Sequence, residues 1–486
     1  MSSTISYSIS TDFGGNINLN QLTDEINADG SITTKLSHIN THGDNVEIVF
    51  VSAPSAGEKT ALDGVVSAHN AVFMPTSSTF DAIVDAEGRG QYVLPSTAFA
   101  AGHKSIFVRN GTYVETQDIV VPDSGQMVGE SGPNVIMYFI GAYSVKSDGG
   151  GDVESGGTMA IAKDSTSVVG TGTTFTNLSA GKFILLGTNY YRIASITDDT
   201  NLTLERTYRG RTITNSNVLA HGMISGFRLH NFIITGSSSS GLFGRGLWHF
   251  VIDSVACVLN AQNFNFSYCG DGGLKHLICD SSFSTGFTID NCTSMNLTTA
   301  DVFNCMSNGI EIKGNSVSII LNACESSNNT GNGFQIKGTS TNVNLSDCVA
   351  RHNNGYGMSV GASTETIMSN DMIAKANESG GIFMDGTLNE IEGGCVCHNG
   401  GTGLIMNASD SAVAGGFYIG NNGDGIRVVG NDNIVKGVRA KNNTSDGIHI
   451  AIGATDTISV YNNLKGNTGA GLTDNGTTSE TTGNKS

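Results

Sequence analysis

Two aspartates, Asp424 and Asp446, stand 22 residues apart, each directly before a glycine, in the contexts Asn-Gly-Asp-Gly-Ile and Thr-Ser-Asp-Gly-Ile. Glycoside hydrolysis needs two carboxyl groups at separations of ~5–10 Å, one as acid and the other as nucleophile or base. A spacing that stacks these residues on neighbouring turns of a repeat would supply such a pair. Glu390 and Glu392 share one face of a strand and form a second candidate pair, with Asp371 and Asp385 as further options. Asp before Gly is also a common turn former, so a purely structural role competes with each of them. A lyase would need a base and a charge neutraliser; Lys313 and Lys337 are stacked neighbours, with Arg351 close in sequence. For holding a glycan or a partner surface the candidates are Tyr356, Phe383, Arg427 and His449, with Ile405 and the sole tryptophan, Trp248, as further apolar surface. Cys395-Val-Cys397-His398 is the one local group of metal-ligating types. It lacks a second pair, so no metal site and no cofactor are expected. The cysteine count is nine, odd and without a Cys-x-x-Cys, which argues against a disulfide framework. Cys324, Cys348 and Met372 fall at equivalent positions and read as a buried column of soft side chains.

What positions these residues is a repeat. A glycine followed by apolar-x-apolar recurs at Gly286, Gly309, Gly333, Gly357, Gly381, Gly403, Gly425, Gly447 and, more weakly, Gly471, in steps of 22–24 residues. A period of this size signals a solenoid. Each unit carries two further short apolar alternations, so three strands and three turns make one coil of a parallel β-helix. A leucine-rich repeat needs a fixed Leu/Asn framework and collagen needs Gly at every third residue; neither pattern is present. Side-chain alternation predicts one inward column from Ile310, Phe334, Met358, Ile382, Leu404, Ile426 and Ile448. A second runs through Ile312, Ile336, Val360, Met384, Met406, Val428 and Ile450. Glu311, Gln335, Ser359, Phe383, Ile405, Arg427 and His449 should face out between them. The Gly and Asn before each strand are expected to supply positive-φ turn positions. About eleven coils should fit between residues 222 and 475 at ~4.8 Å each.

The remaining chain divides by composition. All five prolines precede residue 134 and all nine cysteines follow residue 256. Residues 1–75 read as a small α+β attachment or adaptor domain. It has a strand near Ile5–Ser10, a helix over Asn18–Ala28, a strand at Val46–Val51 and a helix over Ser55–His69 opened by a Ser55/Glu58 capping box. A linker and the first coils occupy 76–152, a small inserted β-barrel or sandwich 153–217, the β-helix 218–475 and a polar tail 476–486. Charged residues are 14% and hydrophobic residues 38% of the 486, with 64 Gly and 5 Pro. Coiled coils need the opposite bias, and disorder usually brings more charge and Pro. The chain has no apolar run of ~18 residues and no leader-like start, so neither membrane insertion nor a secretory signal is expected. A net charge of −18 argues against nucleic-acid binding.

Two stretches carry a family resemblance. Ser105-Ile-Phe-Val-Arg-Asn-Gly-Thr-Tyr113, Ile119-Val-Val-Pro-Asp123 and the run from Gln126 to Tyr138 resemble the opening turns of the pectate-lyase-like right-handed parallel β-helix superfamily. The segment from Val168-Val-Gly-Thr-Gly through Gly181-Lys-Phe-Ile-Leu-Leu-Gly187 to Asn201-Leu-Thr-Leu-Glu-Arg-Thr-Tyr208 resembles a small β module common in bacteriophage tail and virion proteins. The resemblance implies a tail-spike- or fibre-like virion protein. It would be made in the host cytoplasm, be a homotrimer, join other virion proteins through its N-terminal domain and bind host surface polysaccharide. The chain lacks the Asp-Pro-His-Glu motif of β-helix alginate epimerases, so catalysis is not implied. A polysaccharide-degrading glycosidase or lyase and a purely architectural collar or head-decoration protein stand as alternatives.

Overall fold

The computed structural model describes residues 2–12, 19–42, 45–69, 80–131, 134–149, 152–153, 156–187, 189–218, 220–221, 223–362 and 364–486. The chain forms two compact units, Met1–Gly111 and Thr112–Ser486.

In the first unit, Ser3–Ser8 and Leu36–His42 flank Asn45–Phe50 in a three-stranded antiparallel sheet. Helices Leu19–Ala28 and Ala56–Ala68 bury Leu22, Ile26, Leu62 and Val66 against Val46, Ile48 and Phe50. The capping box forms as expected. Ser55 Oγ accepts the Glu58 N–H, and the Glu58 carboxylate accepts the Ser55 N–H at 2.7 Å. The same carboxylate accepts the N–H groups of Thr33 and Thr34, so its pKa lies far below the usual carboxylate range. The strand Leu36–His42 is an addition to the expected β-α-β-α order; its polar sequence becomes a strand by pairing with Asn45–Phe50. Residues 70–79, where the linker should begin, lie outside the described residues. Beyond them Ala82–Val84 pairs in parallel with Ser105–Val108.

The second unit is a parallel β-helix. Its 13-stranded sheet runs from Ile119–Val120 and Val145–Asp148 through Ser240–Arg245 to Leu472–Asp474, and eleven of those strands follow residue 239. Both predicted inward columns are buried throughout, as are Cys324, Cys348 and Met372. Burial pushes the Cys257 thiol well up, in keeping with cysteines that serve as packing groups. The structure pairs Cys395 with Cys397 as a disulfide along one strand, and the other seven cysteines are free and buried. In the third strand of each coil the inward residues are Ala350, Ala374, Val396, Tyr418 and Ala440, while Ile373 and Phe417 point outward.

The corners are built differently from the expectation. The glycine before each strand does not have positive φ. It is required by close approach: a Cβ at Gly333 would lie 2.6 Å from the Gly357 oxygen and 2.9 Å from both Ala350 Cβ and Asn353 Nδ2. Positive φ falls instead on Asn328, His352, Ala376, His398, Gly420, Asn442 and Gly466. The residue after each turns its side chain inward, forming a ladder of Asn329, Asn353, Asn377, Asn399, Asn421, Asn443 and Asn467. Each Oδ1 from Asn353 onward accepts both the backbone N–H and the side-chain N–H of the preceding asparagine, at 2.9–3.1 Å. Each Nδ2 from Asn353 onward also donates to an interior carbonyl, such as Asn353 to Ser326 O at 3.0 Å. A buried polar column is tolerated because its members satisfy one another.

Between Val145–Asp148 and Ile224–Ser225 the chain leaves the coils. Its exit and return strands, Asp152–Val153 and Ala220–His221, pair antiparallel. The inserted segment is one eight-stranded antiparallel sheet folded over its own core of Val168, Phe175, Ile184, Ile193, Leu202 and Leu204. The strand Asn189–Asp198 shifts register after Ile193 and Ile196, which curls the sheet.

Candidate functional site

A groove of about 750 Å³ lies where the inserted sheet meets the coils. Trp248 sits in it, half-buried on the strand Leu247–Val258, paired to Ser225 on one side and Gly270 on the other. Gly270 is needed here: a side chain there would collide with the indole, which lies across the next coil. The inserted module supplies two more rings. Phe183 lies 5.6 Å from the indole centroid, and Tyr190 meets it edge-on at 6.2 Å. His249 adds a perpendicular ring at 5.5 Å. Around this platform stand Asp123, Asp271, Glu205, Arg192 and Arg206, with hydroxyls from Ser225, Thr293 and Ser294. Two pairs hold the charges in place: His249 Nε2 to Asp271 Oδ2 at 2.8 Å, and Arg192 to Glu205 at 2.9 Å. His249, Asp271 and Ser294 occupy successive positive-φ corners, which turns their side chains out of the sheet. A volume in the range of ligand pockets, an aromatic floor and a few fixed polar groups are what a small-molecule or oligomer site requires.

Of this groove the sequence pointed only to Trp248. Phe183 and Tyr190 read as strand residues of the module, and nothing in their local pattern shows that they face a coil beginning 57 residues beyond Tyr190.

The candidate residues of the repeat fall on two different sheets. Phe383, Ile405, Arg427 and His449 are consecutive register partners on the outward face of the 13-stranded sheet. Tyr356 flanks them, its ring 5.5 Å from that of Phe383. Asp424 and Asp446 lie at the edge of the same face and converge on His449. Glu390 and Glu392 are exposed on the strand Glu390–Glu392 of the other sheet, so the two carboxylate pairs do not form one site. The cations proposed for lyase chemistry are already paired. Lys337 lies 3.0 Å from Glu311 and Lys313 3.5 Å from it, while Arg351 binds Glu325 on the other sheet. Glu311 is nearly covered despite its outward position. Burial alone would raise its pKa, but Lys337, Asn308 and Lys313 outweigh it and hold the carboxyl below its ordinary value.

No protein-family model matches the chain, and no curated protein matches it in sequence. Solved structures similar to it are β-helix proteins. The A-module of the Azotobacter vinelandii mannuronan C-5 epimerase AlgE6 shares 13% identity at a TM-score of 0.48, over 80% of this chain and 92% of that one. The tailspike protein gp49 of Pseudomonas phage LKA1 shares 12% identity at a TM-score of 0.46, over 78% and 73%. The N-terminal fragment of gene product 12 of bacteriophage Phi29 shares 12% identity at a TM-score of 0.48, over 80% and 67%. At these identities and scores none of them assigns a function to this chain. Among the described residues no helix is long and apolar enough to cross a membrane.

Proposed function

We propose that the chain is a bacteriophage virion protein of tail-spike or tail-fibre type that binds host cell-surface polysaccharide in the Trp248 groove. The observation that carries this reading is the half-buried indole, backed by Phe183 and Tyr190 and rimmed by Asp123, Glu205, Asp271, Arg192 and Arg206. An indole face offers a flat apolar surface to the C–H face of a sugar ring, and fixed carboxylates and guanidinium groups bond its hydroxyls. In this reading the residues before the coils attach the protein to other virion proteins, three chains assemble, and the exposed coils present the groove.

Trp248 is the chain's one tryptophan, so its fluorescence reports on the site directly. Titration with capsular and lipopolysaccharide fragments should give a saturable change, and Trp248→Ala should weaken binding at least tenfold with an unchanged circular dichroism spectrum. Absence of binding across a broad panel of host glycans overturns the reading.

A second reading, a polysaccharide hydrolase or lyase on the same scaffold, is favoured by the approach of Asp424 and Asp446, whose donor atoms come within 4.8 Å. Retaining glycosidases place their carboxyl groups at ~5–5.5 Å. Release of reducing ends or unsaturated uronates that is lost in Asp446→Asn supports it, and no release from any glycan in the panel sinks it.

A further inference from the structure

The position that Asp424 and Asp446 occupy recurs in earlier coils as Asn308 and Asn332. At each, Oδ1 accepts the N–H of the equivalent residue one coil on: Asn332 at 2.9 Å, Tyr356 at 2.7 Å, Asp446 at 3.0 Å and Ala470 at 2.7 Å. At Asn308, Asn332 and Asp446 the second side-chain atom faces the outward residue three positions later, whereas Asp424 turns its Oδ2 to His449 in the next coil. In the asparagine coils this contact is a closed hydrogen bond, Asn308 Nδ2 to Glu311 at 2.9 Å and Asn332 Nδ2 to Gln335 at 2.5 Å. In the aspartate coils it is left open. Both carboxylates present Oδ2 to His449 Nδ1, each at 3.6 Å, which is too long for a hydrogen bond.

The group is sheltered. The Asp424 side chain is only 6% exposed and that of Asp446 14%. Among the described residues no Lys or Arg ion pair reaches either carboxylate; Arg427 lies beside His449 in the register without forming one. Two carboxylates turned toward each other out of solvent repel, and a cation placed between them relieves that repulsion. Two ligands held at ~2.1 Å on a tetrahedral ion lie ~3.4 Å apart, and the two 3.6 Å separations are close to that. One donor atom from each of the three residues lies within 4.8 Å of the others. Behind the imidazole, Asn475 stands 3.5 Å from His449 Nε2. With its amide flipped to present oxygen, it would accept the Nε2–H and leave Nδ1 as the ligand.

We propose that Asp424, Asp446 and His449 bind one divalent cation, with water completing its shell. Two carboxylate oxygens and an imidazole nitrogen suit zinc or manganese better than calcium or magnesium, which favour all-oxygen shells. The site is independent of the Trp248 groove, and it stands in place of the glycosidase use of Asp424 and Asp446, because carboxylates that ligate a cation are not free to act as acid and nucleophile.

Asparagine at 424 or 446 keeps the Oδ1 that joins the coils and copies what Asn308 and Asn332 already do, so D424N and D446N should fold as the parent does. The full chain, stripped with chelator, is titrated calorimetrically with zinc, manganese and calcium chlorides. The parent should bind zinc or manganese, and D424N, D446N and H449Q should each bind one ion fewer per chain at unchanged circular dichroism. The lost stoichiometry separates this site from surface pairs such as His249–Asp271. Isotherms for the three variants that match the parent overturn the proposal, as does the absence of saturable binding. Calcium binding there in place of zinc or manganese overturns the choice of ion.

Discussion

Replacing Asn399 by alanine tests whether the asparagine ladder holds the coils together. Asn399 is buried in mid-ladder. Its Oδ1 accepts the Asn377 backbone N–H at 3.0 Å and the Asn377 Nδ2 at 3.1 Å. Its Nδ2 donates to Ala374 O at 3.0 Å and to Asn421 Oδ1 at 2.9 Å. The substitution removes all four bonds. It strands two buried N–H groups of Asn377, the backbone one and one of the amide pair whose other member keeps Ala350 O, and takes a donor from the carbonyl of Ala374. Asn421 Oδ1 keeps the backbone N–H of residue 399. Each stranded buried donor costs about 1–3 kcal/mol, so the two together set a loss of about 2–6 kcal/mol. A solenoid opens coil by coil, so the loss should be local. Hydrogen-exchange mass spectrometry should show peptides from residues 374–421 exchanging roughly 30-fold faster or more, with peptides from 250–300 unchanged. Asn422→Ala, at the exposed neighbour, is the control and should stay within about 0.5 kcal/mol. If Asn399→Ala exchanges no faster than Asn422→Ala in the 374–421 peptides, the ladder contributes nothing and the reasoning is wrong.

Three further outcomes are expected. Gly333→Ala should destabilise the neighbouring coils by about 1–3 kcal/mol through the clash with the Gly357 oxygen and the Asn353 amide, and a urea midpoint equal to the parent's would contradict it. The pKa of Glu311 is lowered by folding, so its contribution is present above the ordinary carboxylate pKa of ~4.3 and disappears as pH falls through the depressed value. Lys337→Met removes the 3.0 Å partner and should move acid unfolding to higher pH; identical acid midpoints would refute the pairing. Light scattering on the purified chain should give the mass of three chains, and a stable monomer would end the trimer proposal.

The periodicity made much of the fold legible. Residues such as Ile310 and Ile312 recur with the coil length, and strand alternation permits only one assignment of inside and outside. The Ser55 capping box was equally readable, because its partners are three residues apart. The outward direction of Ile373 and Phe417 was not, since a three-residue strand has too few positions for alternation to declare itself. The repeat glycines are deceptive for a related reason: Gly333 and Gly357 look like turn residues locally, and only the stacked coil reveals that space, not φ, excludes a side chain.

For the sites the division is sharper. Stacking of Asp424 on Asp446 followed from a spacing of 22 residues, and the structure added His449 and left Glu390 and Glu392 on another sheet. The Trp248 groove depended on packing across the insertion, where no sequence period relates Phe183 and Tyr190 to Trp248. The sequence by itself determined the coil, its core columns and its in-register neighbours, because a repeat converts linear spacing into contact. Only the tertiary structure decided which face the inserted module covers, because that contact joins segments related by no repeat and is set by the shape of two surfaces.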